Sequence, residues 1–266
     1  MAFFLVIGFM IQGMISYSKG GFWFFYPDTY SAYLAYLSAI GSGLSAYFVG
    51  ILPLAACLVA GDSMAWDRKT GFIRFVLTRS SRRTYILGKI TAVTLLTGIV
   101  IFSGLLISFL IASIWFPLAL PPWHMVGETA TFTNPAAPPA HVFPFPNFLH
   151  DLLFSHPFVY ILVVGGVVTL SAIVWANLAM LISLWTTKIY LVLAGPWLAY
   201  IGGTFIFGVL GLIMDSPLVS YAPLVLSGAF IGHGKEMTRV EIPFIWIGFT
   251  TIVTYTAFMR RKDVLD

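Results

Sequence analysis

Residues 85–116 read YILGKITAVTLLTGIVIFSGLLISFLIASIWF, and this stretch decides the fold. Lys89 is its only charged residue. A helix of about 20 apolar residues crosses the hydrocarbon core of a bilayer. Backbone groups in that core have no water to bind, so a spanning segment has to satisfy its hydrogen bonds within a helix. The stretch is therefore predicted to be a membrane-spanning helix that is longer than one crossing requires.

Five further apolar stretches have the length and composition of membrane spans. They are residues 1–17, 30–60, 158–184, 189–214 and 244–259. None shows the strict alternation that is typical of a transmembrane β-barrel. The sequence therefore predicts an all-α polytopic membrane protein, with six transmembrane helices in a single domain over residues 1–266.

The composition supports a membrane protein and excludes other classes. Hydrophobic residues make up 59% of the chain and charged residues 9%, with a net charge of +4. Soluble domains carry about 25% charged residues, so a soluble globule of this composition could not coat its surface. The same balance excludes a disordered chain and a nucleic-acid-binding protein. The single cysteine, Cys57, excludes a disulfide within one copy and a multi-cysteine metal site.

The basic residues predict the orientation. Eleven of the fourteen Lys and Arg residues lie after the second, fourth and sixth spans or beside those loops, and seven of them fall within residues 68–89. Loops rich in Lys and Arg stay on the cytoplasmic side. The sequence thus predicts a protein of the plasma membrane with residues 61–84 and both termini in the cytoplasm.

Two segments are then predicted on the outer side. Residues 117–157 form a Pro-rich loop that cannot be a regular helix over 117–146, and residues 215–243 form an apolar hairpin. Four histidines lie in or beside the Pro-rich loop and are weak candidates for metal ligands: His124, His141, His150 and His156. Their spacing matches no compact metal motif, and a water-facing cap is the favoured explanation, so no metal site is predicted.

Catalytic motifs are missing from the sequence. There is no GxxxxGK followed by Ser or Thr to bind nucleotide phosphates, no HExxH and no GxSxG. The predicted spans also carry almost no charge, which disfavours a carrier driven by protons or sodium. The chain is therefore not expected to be an enzyme or to hydrolyse ATP itself.

The most informative loop is residues 61–84, GDSMAWDRKTGFIRFVLTRSSRRT. It predicts a short helix with Asp62 or Ser63 as N-cap and Gly71 as its stop. Apolar residues among basic neighbours have two interpretations here. The loop either lies on anionic lipid, as positive-inside loops do, or carries a docking helix for a cytoplasmic partner.

At this loop the sequence resembles the permease subunits of the ABC-2 transporter family. The family shows an acidic residue, then Gly, an apolar stretch, a Ser-Arg pair and a Gly-Lys pair. The corresponding residues here are Asp67, Gly71, Phe72–Leu77, Ser81-Arg82 and Gly88-Lys89, and the tail Phe258–Val264 is also similar. Asp67 stands where Glu is usual, Phe72 stands where Thr is common, and the family's amphipathic helix before the first span is missing or truncated.

The resemblance implies an exporter-like (type V) transmembrane domain that pairs with a second permease copy or paralogue and with two separate ATPase subunits. ATP and Mg²⁺ would be bound by those partners, with no cofactor in this chain. Partner docking would use Trp66, Asp67, Arg68, Lys69, Gly71 and Phe72. Arg82 and Lys89 would anchor the loop at the lipid headgroups. The cargo implied is hydrophobic or amphipathic, such as a peptide, lipid or drug.

Three other classes remain open from the sequence. A channel or ion-coupled carrier would work without an ATPase. A membrane-embedded enzyme would need acid–base or metal groups at one face, which only the outer histidines and acids could supply. A sensor or immunity protein would bind its ligand without moving it.

Overall fold

The computed structural model describes residues 1–19, 31–41, 46–120, 123–126, 129–132, 149–214 and 241–260. In this part of the chain the protein is a bundle of helices with one small hairpin. The helices are α1 (Ala2–Lys19), α2 (Ala32–Gly41), α3 (Ala46–Ala60), α4 (Ser63–Lys69), α5 (Phe72–Leu77), α6 (Arg82–Trp115), α7 (His150–Ser155), α8 (Pro157–Ser183), α9 (Ile189–Ile213) and α10 (Glu241–Arg260).

The predicted helical class is confirmed, and each of the six predicted spans falls on helix. Within the described residues, α6, α8 and α9 are long and apolar enough to cross a membrane. The predicted span 30–60 contains two helices, α2 and α3, and residues 42–45 between them lie outside the described part of the chain. The count of six spans stays a prediction.

The helix α6 begins three residues earlier than predicted, at Arg82. The cause is Ser81, whose hydroxyl accepts a hydrogen bond from the backbone N–H of Thr84 at 3.2 Å. Such a cap satisfies one of the unpaired donors at a helix start. The early start brings Tyr85 and Lys89 into the first turns of a helix about 51 Å long, against a hydrocarbon core of about 30 Å.

The helix α8 is the centre of the bundle. It is the most buried of the three long helices and α9 is the least buried. Helices α3, α6, α9 and α10 pack against α8, and both Tyr160 near its start and Met180 near its end are fully buried. A helix that is apolar all round belongs inside a bundle or in lipid, which accounts for the near-continuous hydrophobic sequence of residues 157–183.

The predicted outer loop contains more regular structure than its prolines indicated. Strands β1 (Trp123–Val126) and β2 (Thr129–Phe132) form a short antiparallel hairpin, which is a small addition to the predicted all-α fold. The tetrapeptides WHMV and TATF are rich in β-branched and aromatic residues, which favour strands. In the register, His124 lies opposite Thr131. Residues 133–148, with His141, and residues 215–240 of the predicted outer hairpin lie outside the described residues.

Most of the described basic residues lie at one end of the bundle, which we call the basic end. The starts of α6 and α9 and the last turns of α8 and α10 meet there, with α4 and α5 between them. Ala65 of α4 is buried in a small cluster with Cys57, Ala179 and Val192, which come from α3, α8 and α9. The α4–α5 segment is thus built into the bundle end.

Two glycines allow backbones to approach closely. A Cβ atom at Gly13 would lie 2.8 Å from Cβ and 2.9 Å from Cα of Ala39, so α1 and α2 touch at this point. A Cβ atom at Gly61, where α3 leads into α4, would lie 2.8 Å from Cβ of Ala179 and 2.9 Å from the carbonyl oxygen of Cys57. Small residues are the usual means by which membrane helices pack at short range.

The first prediction concerns this packing. Gly13→Ala places a methyl group against the backbone of α2, and we expect a loss of stability of about 1–3 kcal/mol, as for other overpacked sites. Gly8→Ala on the same helix is the matched control, because a Cβ there meets nothing within 4 Å. The apparent melting temperature of the purified protein in detergent should fall for Gly13→Ala and stay or rise for Gly8→Ala. Equal behaviour of the two variants would contradict the α1–α2 contact.

Candidate functional site

The segment 61–84 contains two short helices joined by a left-handed glycine. The helix predicted from its sequence is present as α4, and it ends where Gly71 adopts a φ of 73°. Glycine is the residue that takes this conformation without strain. The chain reverses here and continues into α5, whose Ile73 is buried. We call residues 63–77, which comprise α4, the turn and α5, the coupling segment.

Asp67 faces into the protein. Asp67 as a whole residue is 8% exposed. Its Oδ2 atom accepts hydrogen bonds from the Tyr85 hydroxyl at 2.7 Å and from Lys89 Nζ at 2.6 Å. Tyr85 and Lys89 are four residues apart, so they lie on the same face of α6. The contact with Lys89 is an ion pair, in which the Lys89 side chain is 20% exposed and the Asp67 side chain 12%. A charge-assisted bond with so little water around it is stronger than one on the surface.

Arg68, the next residue, binds a different helix. Its Nη1 atom donates to the carbonyl oxygens of Ser183 at 2.8 Å and Leu184 at 2.7 Å. These carbonyls end α8, and the last carbonyls of a helix have no partner within it. A cation at a helix C-terminus is also favoured by the helix dipole. Arg68 therefore ties the coupling segment to the central helix of the bundle.

A third helix reaches the same place through Phe258. The Phe258 side chain, near the end of α10, is fully buried. Its ring centroid is 5.8 Å from that of Tyr85 and 5.7 Å from the guanidinium carbon of Arg82. Both distances are typical of aromatic and cation–π contacts. The end of α10 is thus joined to the start of α6 beside the Asp67 pair.

Three other side chains of the coupling segment are aromatic and exposed, and basic residues lie beside two of them. Trp66, Phe72 and Phe75 are 55%, 51% and 55% exposed. Lys69 Nζ lies 6.0 Å from the Trp66 ring, and the guanidinium carbon of Arg79 lies 4.7 Å from the Phe75 ring. Trp, Tyr and Arg are enriched among the residues that carry binding energy at interfaces, so Trp66 and Arg79 are the strongest candidates here. The arrangement suits a surface with an apolar depression and an acidic rim.

The predicted site residues therefore divide into two groups. Trp66, Lys69 and Phe72 point outward, where a partner could reach them, and Gly71 makes the turn between them. Asp67 and Arg68 make contacts inside the protein instead. The docking role of Asp67 and Arg68 stays a prediction. The predicted role of Lys89 and Arg82 at the lipid headgroups also stays a prediction. Both cations make contacts within the bundle, Lys89 with Asp67 and Arg82 with Phe258.

Three participants were missed at the sequence level, namely Tyr85, Phe75 and Phe258. The spacing of Tyr85 and Lys89 gave a usable signal, because a hydroxyl and an ammonium on one helix face can share an acceptor. Phe75 could have been found from its place three residues after Phe72, which brings the rings to 6.4 Å. For Phe258 the sequence held no signal of its partner.

Among the described residues, no group of three or more His, Cys, Asp or Glu side chains could hold a metal ion. His156 is exposed between α7 and α8, and His150 begins α7. Since His141 and Glu128 lie outside the described residues, the prediction for the outer histidines stays open.

Comparison with protein families gives a match over most of the chain. The model of a family described as "Protein of unknown function (DUF2705)" matches residues 3–210, which is most of the chain. This range includes the coupling segment, the long helices α6 and α8, and all but the last three residues of α9. No curated protein and no solved structure matches the chain.

The second prediction tests the Asp67–Lys89 pair by a double-mutant cycle. Asp67→Asn and Lys89→Met should each destabilise the purified protein by about 2 kcal/mol, because each leaves a partly buried charge without its partner. The double variant should lose about as much as one single variant, since the interaction is removed only once. Lys69→Met, on the exposed face, is the control and should change stability by less than about 0.5 kcal/mol. Additive losses in thermal unfolding would show that the pair is not formed.

Proposed function

We propose that this chain, which belongs to the DUF2705 family, is the membrane-spanning permease subunit of an ATP-binding cassette exporter. Two permease chains, this one and a second copy or a paralogue, line the pathway. Two separate ATPase subunits supply the energy by docking on residues 61–84 of each permease. The cargo is hydrophobic or amphipathic, in keeping with the apolar helices that face the pathway.

The coupling segment is the observation that carries the proposal. Its outer face exposes Trp66 and Phe72 beside Lys69, while the residues between them bind α6 and α8. A loop that only oriented the protein in the bilayer would need its positive charges and not these internal bonds. A docking element needs both an accessible face and a firm connection to the helices that it moves.

The proposed mechanism follows from this connection. ATP binding closes the two ATPase subunits, and the surface on which the coupling segment rests is displaced. The displacement reaches the ends of α6 and α8 through the segment, and these helices move as rigid bodies. Movement of the long helices against a second permease chain opens the pathway on the opposite side.

We further propose that the chain lies in the plasma membrane, crosses it six times and has both termini in the cytoplasm. Support comes from three long apolar helices and from the concentration of Lys and Arg at the basic end. The ATPase subunits would then meet the coupling segment in the compartment that holds ATP.

The third prediction tests docking. The full chain is co-expressed with a candidate ABC ATPase from the same genome, and the complex is purified and assayed for Mg²⁺-dependent ATP turnover. The double variant Trp66→Ser/Phe72→Ser should weaken the complex at least about tenfold, because exposed aromatic anchors carry much of an interface energy. The dissociation constant is measured with labelled ATPase and the permease in nanodiscs.

Tyr190→Ser is the matched control for this experiment. Tyr190 is an aromatic residue at the basic end, 65% exposed, but it lies on α9 outside the coupling segment. An unchanged dissociation constant for the Trp66/Phe72 variant would contradict docking at this face. Ion-driven cargo transport by the purified chain without any ATPase would instead favour a carrier, and ligand binding without transport would favour a sensor.

The fourth prediction tests the orientation. Single cysteines are placed at Thr70 and at Pro138 in a Cys57→Ala background, and intact cells are treated with a membrane-impermeant maleimide. The Pro138→Cys variant should be labelled in intact cells, and the Thr70→Cys variant only after permeabilisation. Labelling of Thr70→Cys in intact cells would place the coupling segment outside and overturn the proposal.

A further inference from the structure

Two neighbouring residues of α4 bind two different helices, and a third helix joins the same cluster. Asp67 binds Tyr85 and Lys89 of α6. Arg68 binds the carbonyl oxygens that end α8. These residues are consecutive in a helix, so their side chains point about 100° apart around the helix axis. One can therefore bind α6 while the other binds α8.

We propose that Asp67 and Arg68 are positioning residues that make the coupling segment and the adjoining ends of α6, α8 and α10 move as one body. Asp67 is the central member, because a single carboxylate oxygen holds both donors of α6. The part of this proposal that concerns transmission to an ATPase rests on the proposed function. The part that concerns the linkage itself does not.

The strength of the linkage follows from its surroundings. The bonds from Asp67 to α6 are 2.6 and 2.7 Å long, and those from Arg68 to α8 are 2.7 and 2.8 Å long. All four have a charged member and lie in part-buried positions, where water competes less for the donors. Short side-chain bonds of this kind hold an orientation that van der Waals contact alone would leave free to slide.

The linkage extends to α10 through a buried ring. Tyr85 donates to Asp67 and also packs on Phe258, and Arg82 covers the same ring. Phe258 has no exposed surface. A shift of α4 that pulled Tyr85 would therefore disturb the packing of Phe258, and the end of α10 would have to follow.

The exposed anchor is the direct neighbour of the positioning pair. Trp66 is half exposed, while Asp67 beside it is 8% exposed. A force applied at Trp66 is passed along one peptide unit to a residue bonded to α6. The path from an external surface to a long helix is thus a few covalent and hydrogen bonds, with no flexible stretch between them.

The first arm of the test uses the purified full chain alone, in nanodiscs, and measures amide hydrogen exchange. Asp67→Asn removes the charge and keeps the shape, and exchange in residues 63–77 should rise at least about tenfold while the middle of α8 stays protected. Asp62→Asn is the matched control, because Asp62 is an acid of the same end whose side chain makes no cap bond. Asp67→Glu should restore protection, since it restores the carboxylate.

The second arm uses the complex with the ATPase. Asp67→Asn should keep the dissociation constant within about twofold, because the exposed aromatic side chains are unchanged, and should lower Mg²⁺-dependent ATP turnover of the complex at least about tenfold. Asp67→Glu should recover most of the turnover. A variant that merely unfolded the protein would lose binding and turnover together and would not show local exchange.

The outcomes separate the two proposals. Unchanged exchange in Asp67→Asn, or exchange raised equally throughout the chain, overturns the linkage whatever the ATPase does. If Asp67→Asn raises amide exchange in residues 63–77 but leaves the ATP turnover of the complex unchanged, transmission through Asp67 is overturned. Local exchange without any ATPase bound to the wild-type chain supports the linkage and overturns both the proposed function and the transmission that rests on it.

Discussion

The bond between the Asp67 carboxylate and Lys89 is the contact on which the basic end of this protein depends. An ion pair at this depth is costly to form, because both groups lose water, and costly to break, because either partner is then stranded. The long helix α6 supplies both donors from one face. The Asp67 carboxylate therefore fixes the rotation of α6 about its own axis as well as its distance from α4. The positions of α4, Gly71 and α5 relative to the bundle follow from that fixed point.

The same contact explains why an apolar protein keeps a cluster of charges where its helices meet. Dispersion and packing between apolar helices are weakly directional, and lipid competes for the same surfaces. Charge-assisted hydrogen bonds, by contrast, have a preferred geometry and so fix how two helices are oriented. The side chain of Arg68 makes such directional bonds at the end of α8, where the last carbonyl groups of the helix form the negative pole of the helix dipole. Specific geometry at the basic end thus coexists with an interior that, elsewhere in the described helices, contains no buried charged residue.

The sequence predicted the helical stretches well and the contacts between them poorly. Long apolar runs such as residues 85–116 allow one backbone solution in lipid, so the helices could be foreseen. The short helix before Gly71 was also confirmed, because glycine ends a helix for a local reason. The partner of Asp67 lies 22 residues away, and the partners of Arg68 more than 100. One sequence holds no record of such distant pairings. The hairpin within the Pro-rich loop pairs residues that are close in sequence, and it was missed because the prolines of residues 117–146 were taken as signals of irregular loop.

The close approach at Gly61 limits how this end of the protein can rearrange. The backbone of the α3–α4 junction touches Ala179 on α8, and the space that a methyl group would fill is already taken. Sliding of α3 along α8 would drive Gly61 into the neighbouring side chains of α8. Any relative movement of α3 and α8 therefore has to leave the separation of the two helices at Gly61 unchanged.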